Sequence, residues 1–282
     1  MFEGVTLVAS VSGGKDSAAL SLWLTEQGLE HQRIFADTGW EAKQTYEYLE
    51  TELADALGPI LVLRGQRTMP ELIRHKGMFP SRLRRFCTQQ LKVRPIQKYL
   101  KSLTRPIVNV VGIRAAESAS RAKMPEWEYD KLLGCDVWRP LINWSEQEVI
   151  DIHTRHGLRP NPLYLKGASR VGCWPCIYAR KAEIRLVAEL DPERIELIRQ
   201  LEEQVEARAR QRYIDEGTTM EEKGYHAPTF FHTKSHANDK KGMLPIDEAV
   251  AWARTSHGGR QVLLFDPEPP GCMRWGLCES VA

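Results

Sequence analysis

A short run near the start of the chain has the residue types and the order that phosphate binding requires. It consists of Ser12, Gly13, Gly14, Lys15, Asp16 and Ser17. The two glycines let backbone N–H groups approach an anion closely, Lys15 adds a positive charge, and the serines add hydroxyl groups. Asp16 would repel a phosphate unless a cation lies between them, so we interpret it as a Mg²⁺ ligand. The run, here called the phosphate-binding loop, is predicted to use Lys15 and Asp16 as catalytic residues.

The flanking residues place this loop between a strand and a helix. An apolar segment over 5–11 precedes it, and a helical pattern follows over 16–27. A helix N-terminus adds free backbone donors and the positive end of the helix dipole. The alternative interpretation is an ordinary Ser/Gly turn that caps the helix. The loop is not a Walker loop, which has four residues between its first glycine and its Gly-Lys pair.

The order Ser-Gly-Gly-Lys-Asp-Ser resembles the pyrophosphate loop (PP-loop) of the ATP pyrophosphatase superfamily. Those enzymes cut ATP between its α and β phosphates. The resemblance implies that this chain binds ATP and cleaves it with release of pyrophosphate.

Strand-like and helical segments alternate in the first half of the chain. Further strands are predicted over 31–36, 60–63 and 107–111, and helices over 42–57, 88–102 and 145–156. This alternation predicts an α/β fold, with a parallel sheet covered by helices on both faces. Ligands of such sheets bind beyond the carboxyl ends of the strands, so the loops after 31–36 and 107–111 are expected to share the pocket of the phosphate-binding loop. Residues 181–214 are predicted to form one or two long charged helices, followed by an irregular polar region with a short helix over 246–254.

Several motifs coincide in order between residues 4 and 180. They are Asp37-Thr38-Gly39-Trp40-Glu41, Phe86-Cys87-Thr88, Gly112-Ile113-Arg114-Ala115-Ala116-Glu117-Ser118 with Arg121, Asn161-Pro162-Leu163-Tyr164, and Arg170-Val171-Gly172-Cys173-Trp174-Pro175-Cys176. Together they resemble the phosphoadenosine phosphosulfate (PAPS) reductase family, a branch of the same superfamily. The resemblance implies a Rossmann-like (HUP-type) domain over 1–180. Residues 181–282 lie outside the resemblance, and their own pattern predicts a helical and irregular C-terminal region that returns cysteines to a metal site.

The same resemblance assigns contacts for the nucleotide and for the acceptor of the reaction. Asp37 and Thr38 suit the ribose or adenine side of the nucleotide, although they could instead cap a helix. The segment after the 107–111 strand resembles the anion-recognition segment of the family and is expected to contact phosphate or acceptor; its residues are Gly112, Arg114, Glu117, Ser118 and Arg121. The alternative for the two arginines is a role in surface salt bridges.

The two branches of the family differ in their chemistry. Sulfonucleotide reductases commonly carry a degraded first loop and end in a Glu-Cys-Gly-Leu-His motif, whereas this loop is intact and the chain ends Gly276-Leu277-Cys278-Glu279-Ser280. These features favour an ATP-using sulfurtransferase, similar to those of DNA phosphorothioation or, more distantly, tRNA thiolation. The alternative is a phosphoadenylyl-sulfate or adenylyl-sulfate reductase that produces sulfite with a thioredoxin-type reductant. A non-enzymatic, cluster-bearing subunit is a third interpretation.

Five of the six cysteines are candidate metal ligands: Cys87, Cys173, Cys176, Cys272 and Cys278. Iron–sulfur members of the family pair a cysteine near the position of Cys87 with a later C-x-x-C, so the resemblance favours a [4Fe–4S] cluster. Four-thiolate zinc and a redox dithiol are the alternatives. If the cluster takes three or four cysteines, one of the others is free to carry sulfur as a persulfide, and Cys87 is a predicted catalytic residue. Cys135 has no partner at metal-ligand spacing and is interpreted as structural.

Positive charge is concentrated in one segment, although the net charge is only +2. From Arg64 to Arg105 there are twelve Lys or Arg residues and one acid, Glu71. Such a segment indicates an anion-binding face and makes nucleic acid a candidate partner, unless it is only a solvated helix surface. His226, His232 and His236 beside Phe230 and Phe231 fit a solvated loop or a further nucleic-acid contact. A sulfur donor such as a cysteine desulfurase is the other partner that the proposed chemistry needs.

The sequence predicts a cytoplasmic protein. No apolar run is long enough to span a bilayer, and Met1-Phe2-Glu3-Gly4 lacks the basic and apolar regions of a signal peptide. Structural disulfides are rare in the cytoplasm, so the cysteines need another explanation.

Overall fold

A computed structural model of the chain describes residues 2–104, 106–232, 242–256 and 275. They fall into two compact units. The sheet unit holds the described residues of Met1–Gly65 and Gln90–Cys173 together with Trp275, and the helical unit holds those of Gln66–Gln89 and Trp174–Glu268. The division into domains 1–180 and 181–282, which rests on where the family resemblance ends and on the residue pattern beyond it, stays a prediction.

The sheet unit is built on six strands in the order β3-β2-β1-β4-β6-β5. Their bounds are β1 Thr6–Ser10, β2 Gln32–Asp37, β3 Ile60–Arg64, β4 Ile107–Val110, β5 Trp127–Asp130 and β6 Cys135–Trp138. All neighbours are parallel except β5, which pairs antiparallel with β6. Strand order reverses between β1 and β4, with Thr6 opposite Ile107. The carboxyl ends of these two strands therefore border the crevice in which ligands of open α/β sheets bind.

The described helices are α1 Lys15–Glu26, α2 Lys43–Glu50, α3 Glu52–Leu57, α4 Met69–Lys76, α5 Phe86–Thr88, α6 Arg94–Ser102, α7 Glu146–Arg155, α8 Pro162–Leu165, α9 Lys181–Leu190, α10 Pro192–Asp215 and α11 Ile246–Arg254. A π-helical turn occupies Gln89–Val93, and 3₁₀ turns occupy Ala115–Glu117 and Arg121–Lys123. The predicted helix over 42–57 is two helices, since Thr51 departs from helical geometry and its hydroxyl donates to the Glu47 carbonyl at 2.7 Å.

Both faces of the sheet are buried against helices. Neighbouring residues of a strand point to opposite sides, so each strand contributes side chains to both faces. On one face Leu7 and Ala9 pack in a cluster with residues of α1, α3 and α7. On the other face Val8 and Ile34 pack with Leu100 of α6. The predicted α/β Rossmann-like architecture is thus confirmed, as is the helical C-terminal region.

The helical unit contains α4, α5, α9, α10 and α11 with a small hairpin, β7 (Phe231–His232) and β8 (Met243–Leu244). The predicted charged helical region is α9 and α10, separated at Asp191, whose side chain caps α10 by accepting from Arg194 N–H at 3.0 Å. Glu202 of α10 fixes the hairpin and α11, since its carboxylate accepts from Phe230 N–H at 2.8 Å and Ile246 N–H at 3.0 Å. Burial raises the pKa of Glu202. None of the described helices combines the length and apolar character needed to cross a bilayer.

Candidate functional site

The phosphate-binding loop lies between the carboxyl end of β1 and the first turn of α1, as predicted. Gly13 has a φ of +73°, and a Cβ there would lie 2.8 Å from Thr45 Cγ2, so the turn requires glycine at this position. The Ser12 N–H donates to Ser17 Oγ at 3.0 Å, and Ser17 Oγ donates to the Gly14 carbonyl at 2.9 Å. The loop is therefore fixed by its own side chains and backbone.

Lys15 is 7% exposed and is surrounded by groups that attract its charge. Its Nζ lies 3.2 Å from Glu146 Oε1 and 3.9 Å from Asp16 Oδ2. The same nitrogen lies 4.9 Å from the centroid of the Tyr164 ring, a cation–π distance. The lysine is thus held with two carboxylates as neighbours, which an entering phosphate can replace.

Asp16 connects the phosphate-binding loop to the segment after β4. Its Oδ1 accepts from Arg114 Nε, and the Arg114 side chain is 6% exposed. A Cβ on Gly112 would lie 2.6 Å from the Asp16 carbonyl oxygen, so the two backbones approach each other closely at this glycine. The structure therefore places Gly112 and Arg114 beside the phosphate-binding loop.

Residues 112–121, which follow β4 and are here called the β4 segment, contain a further ion pair beyond the one between Arg114 and Asp16. Glu117 accepts from the Arg114 N–H at 2.7 Å and pairs with Arg121. Ser118 Oγ accepts from the Arg121 N–H at 3.2 Å and lies 3.0 Å from Ser120 Oγ. Arg114 and Arg121 thus make the salt bridges of the alternative interpretation, with Arg114 buried rather than on the surface.

The Asp16 carboxylate fits the predicted Mg²⁺ by the chemistry of its donors. Its side chain is 14% exposed, and Arg114 occupies Oδ1 while Oδ2 faces Lys15 at 3.9 Å. Protein-bound Mg²⁺ generally takes one or two carboxylates together with phosphate oxygens and water. One accessible carboxylate oxygen in a phosphate-binding loop meets that requirement.

Three residues that were not among the predicted site residues hold the backbone of the loop. The Tyr164 hydroxyl accepts from Lys15 N–H at 3.2 Å, His153 Nε2 donates to the Lys15 carbonyl at 2.9 Å, and Asn161 Nδ2 donates to the Gly13 carbonyl at 3.2 Å. Burial lowers the pKa of His153, which favours the neutral ring. The Asn161-Pro162-Leu163-Tyr164 run was the available signal, because it belongs to the motifs that carry the resemblance.

Trp275 packs against two of these supports. Its ring centroid lies 5.2 Å from that of His153 and 6.1 Å from that of Tyr164, and the residue is 9% exposed. Both peptide groups that flank the Lys15 Cα are therefore bonded to side chains that Trp275 covers. Nothing in the local sequence around Trp275 indicated this placement.

Asp37 is the last residue of β2 and Thr38 follows it, and both side chains are hydrogen-bonded within the protein. Asp37 accepts from Arg64 Nε at 2.8 Å and from Gly39 N–H at 2.8 Å. Burial alone would raise the pKa of Asp37, but these donors and the Tyr46 hydroxyl outweigh it and hold the pKa below its usual value. Thr38 Oγ1 donates to the buried Glu41 carboxylate at 2.8 Å. Helix α2 begins after an N-cap at Ala42, so neither residue caps it.

The candidate metal ligands are divided between the described units. Cys87 and Cys176 belong to the helical unit and Cys173 to the sheet unit, where it forms an isolated β-bridge with Glu41. Burial raises the pKa of the Cys87 thiol, and the nearby Cys176 raises it further. Cys272 and Cys278, like the predicted contact His236, lie outside the described residues. Cys135 is buried in β6 and packs in the core.

Two of the described candidate ligands, Cys87 and Cys176, have the chemistry that a thiolate-bound metal needs, because both are thiols and Cys176 raises the pKa of Cys87. Within the described part of the chain, no group of three or more His, Cys, Asp or Glu residues is arranged to hold a metal ion. Two of the five predicted ligands are not in that part.

Residues 6–179 match the phosphoadenosine phosphosulfate reductase domain family. This match spans more than half of the chain and includes the phosphate-binding loop, the β4 segment and the C-x-x-C. The chain belongs to the PAPS reductase family, within the PP-loop superfamily, and the predicted membership is confirmed.

Proteins similar to this chain carry different descriptions. An uncharacterized 37.8 kDa protein of Escherichia phage 186 is 31% identical, with 98% of each chain covered. An adenosine 5'-phosphosulfate reductase of Allochromatium vinosum is 34% identical, but the match covers 34% of this chain and 36% of the reductase. A crystal structure of PAPS reductase from Candida auris, in a phosphate complex, aligns over 60% of this chain and 81% of that protein, with 21% identity and a TM-score of 0.47.

Proposed function

We propose that this protein is an ATP-dependent sulfurtransferase that adenylylates its acceptor, releases pyrophosphate and modifies nucleic acid with sulfur. The observation that carries the proposal is the intact phosphate-binding loop, with Lys15 buried between carboxylates at the start of α1. A protein that only binds a sulfonucleotide has no need for a complete pyrophosphate loop.

In the proposed reaction, the β and γ phosphates of ATP occupy the phosphate-binding loop. Lys15 exchanges the Glu146 carboxylate, now 3.2 Å away, for phosphate oxygens. Asp16 would hold Mg²⁺, which when bound supplies positive charge to the phosphates. Asp37 and Thr38 are proposed to contact the ribose or adenine side, and Gly112, Arg114, Glu117, Ser118 and Arg121 the phosphate or acceptor.

Catalysis in the proposed first step is mainly charge stabilisation and positioning. An acceptor oxygen attacks the α phosphorus, the bond from that phosphorus to the bridging oxygen breaks, and pyrophosphate leaves. Lys15 stabilises the charge that accumulates on the leaving group. The Tyr164 and His153 contacts keep the Lys15 backbone fixed during the step.

In the proposed second step, a sulfur nucleophile attacks the activated acceptor atom. The bond from that atom to oxygen breaks, AMP leaves, and a bond to sulfur forms. Cys87 is the proposed catalytic cysteine, and a persulfide loaded by a cysteine desulfurase is the proposed source of sulfur. Displacement by a persulfide leaves the acceptor joined to the protein through a disulfide, which a thiol reductant then cleaves.

A [4Fe–4S] cluster is the proposed resident cofactor, with Cys173, Cys176 and one or both of Cys272 and Cys278 as ligands. Cys87 would be a ligand only if another cysteine carries the transferred sulfur. When bound, such a cluster would supply iron that can coordinate sulfur. Four-thiolate zinc is the alternative. Purification without oxygen, with a visible spectrum and measurements of iron, sulfide and zinc, separates the two. A colourless protein with one zinc per chain rules out the cluster.

Sulfite production from a sulfonucleotide is the second candidate function. It is favoured by the similarity to reductases, since those of Allochromatium vinosum, Burkholderia cepacia and Neisseria meningitidis are 31–34% identical over about a third of this chain. In this reaction the protein binds a sulfonucleotide and releases sulfite, and no pyrophosphate is formed.

The deciding experiment measures pyrophosphate and sulfite from the same preparation. The protein receives ATP with duplex DNA, single-stranded DNA or tRNA in one series, and PAPS or adenosine 5'-phosphosulfate with reduced thioredoxin in the other. We expect pyrophosphate that depends on a nucleic acid and disappears in Asp16→Asn. Sulfite without pyrophosphate would establish the reductase and refute the sulfurtransferase.

A further inference from the structure

Residues 81–85 of the helical unit, here called the arginine loop, present four of their five side chains to solvent. Arg82, Arg84 and Arg85 are exposed, and Leu83 between them is 96% exposed. The surrounding segment adds to the charge, because residues 66–89 contain six Lys or Arg residues and one acid, Glu71. Leu83 thus adds one exposed apolar side chain to the middle of the basic loop.

In the part of the chain that the structure describes, no carboxylate neutralises the charge of this loop. Within the described residues, Arg82, Arg84 and Arg85 form no ion pair with a carboxylate. Other exposed arginines do have partners, such as Arg155 with Glu26 and Arg210 with Glu221. Three neighbouring guanidinium groups repel one another, and a polyanion that binds them relieves this repulsion.

One aromatic ring, that of Tyr178, orders the two outer arginines. The guanidinium carbons of Arg82 and Arg85 lie 5.7 Å and 5.4 Å from the centroid of the Tyr178 ring. Cation–π contact of this kind restrains a long side chain and engages the face of the guanidinium rather than its N–H groups. Tyr178 therefore presents two planar, positively charged groups as a defined surface.

The backbone of the arginine loop is also closed on itself. The Ser81 N–H donates to the Arg84 carbonyl, and the Arg84 N–H donates to Ser81 Oγ, each at 3.2 Å. Arg85 Nη2 donates to Thr88 Oγ1 at 3.3 Å. These bonds place Leu83 within a hydrogen-bonded turn. The turn itself holds the Leu83 side chain in solvent.

We propose that the arginine loop and Tyr178 form a binding surface for a strand of nucleic acid. The three guanidinium groups bind backbone phosphates, which match the two-pronged donor geometry of arginine. Leu83 packs against a base or sugar. An acidic protein segment would satisfy the charge, but its carboxylates offer no flat apolar face for Leu83.

The position of this surface suggests how a nucleic acid would reach the site, and this inference rests on the proposed function. Arg85 lies two residues before Cys87, and Tyr178 lies two residues after Cys176. Both parts of the surface are thus adjacent in sequence to cysteines proposed for sulfur chemistry. A nucleic acid bound here is held next to the residues that would modify it.

The test measures binding of the full chain to fluorescein-labelled 30-nucleotide single-stranded DNA, and to the matching duplex, by anisotropy at several salt concentrations. A variant carrying Arg82→Ala, Arg84→Ala and Arg85→Ala is compared with wild type. We expect the slope of log K against log salt to decrease by about 0.7 per lost single-strand contact, so by about 2 in the triple variant. Leu83→Ser is expected to weaken binding about threefold to tenfold with an unchanged slope.

The matched control removes the same charge elsewhere, through Lys43→Ala, Arg210→Ala and Lys223→Ala, and is expected to bind nearly as wild type. Circular dichroism and thermal melts establish that each variant is folded. Unchanged affinity and slope in the arginine-loop variant, or an equal loss in the control, overturns the proposal. Poly-glutamate that binds as tightly as DNA, with the same dependence on the arginines, also overturns it and identifies an acidic protein partner.

This result is separable from the proposed function, because binding needs no ATP. If the wild-type protein releases pyrophosphate but the arginine-loop variant binds DNA as well as wild type does, only the proposed binding surface is refuted. DNA binding that needs the arginines, in a protein that releases no pyrophosphate, refutes only the sulfurtransferase.

Discussion

Lys15 in the phosphate-binding loop and the arginines of the arginine loop differ in how their charge is balanced. Lys15 is 7% exposed and lies 3.2 Å from Glu146 Oε1. Nearby, Asp16 pairs with the buried Arg114. In the arginine loop the charges are exposed, and the described residues provide no carboxylate partner for them.

The difference indicates two kinds of anion recognition. A buried lysine that already has a carboxylate partner binds a small anion by exchange, within a fixed geometry and with little water present. Exposed, unpaired arginines interact with a large anion that approaches from solvent, and salt weakens that interaction. ATP suits the first arrangement and a nucleic-acid strand the second.

The largest expected effect comes from removing Lys15. With Lys15→Ala, ATP-dependent pyrophosphate release is expected to fall by about 10²–10³-fold, the usual result of deleting one preorganised group that stabilises developing negative charge. The measurement is initial pyrophosphate release under saturating ATP, with Lys43→Ala as the control for loss of an exposed lysine.

Glu146→Gln tests whether Lys15 really binds by exchange. It keeps the shape of the side chain and removes the competing charge, so ATP is expected to bind a few-fold more tightly. Weaker binding in this variant, measured by calorimetry, contradicts the exchange and makes Glu146 a ligand or positioning residue instead.

Gly112→Ala tests the close approach of the β4 segment to the phosphate-binding loop. The new Cβ would lie 2.6 Å from the Asp16 carbonyl oxygen, a backbone atom that cannot simply rotate away. We expect a loss of about 1–3 kcal/mol in the free energy of unfolding and a tenfold or greater loss of ATP affinity. Gly172→Ala is the matched control, since a Cβ there has open space around it. Equal effects of the two variants on ATP affinity contradict the packing argument.

The sequence was sufficient to predict the strand–loop–helix unit and the crevice at the carboxyl ends of β1 and β4, because both follow from local patterns and chain topology. It did not predict the supports of Lys15, since His153 is 138 residues away from it and a buried histidine has no distinguishing local pattern. It also missed β5 and β6, which are only four residues long, and in β5 the alternation of aromatic and acidic residues covers a strand with three of its four residues exposed. The break at Thr51 was hidden by apolar spacing that continues across it.

Trp275 is expected to have an intermediate effect on the phosphate-binding loop. Trp275→Ala removes the ring that covers His153 and Tyr164, so both supports of the Lys15 backbone lose packing. Trp275→Ala is expected to lower ATP affinity about tenfold. Trp275→Phe retains an aromatic ring, so its loss of ATP affinity is expected to be less than half as large on a logarithmic scale. Calorimetric titration with ATP decides, and equal losses in the two variants would show that the ring contact itself does not matter.

The smallest expected effect concerns an exposed arginine that does have a partner. Arg155 lies 2.8 Å from Glu26 through Nη2, and this contact, with His156, lowers the pKa of Glu26 from 4.5 to about 2. A carboxyl group whose pKa is lower in the folded state stabilises the fold above its unfolded pKa, and this contribution is lost as the pH falls from about 4.5 to about 2. Because the pair is partly exposed, its contribution is about 1 kcal/mol or less.

Urea unfolding between pH 6 and pH 2.5 measures this contribution. Glu26→Gln is expected to remove part of the acid-induced loss of stability, while Arg84→Ala leaves that pH dependence unchanged because Arg84 has no carboxylate partner among the described residues. A similar change in pH dependence from Arg84→Ala would mean that the arginine loop is neutralised by a carboxylate after all. Its charge would then not be available to a phosphate backbone, and the contrast between the two regions would disappear.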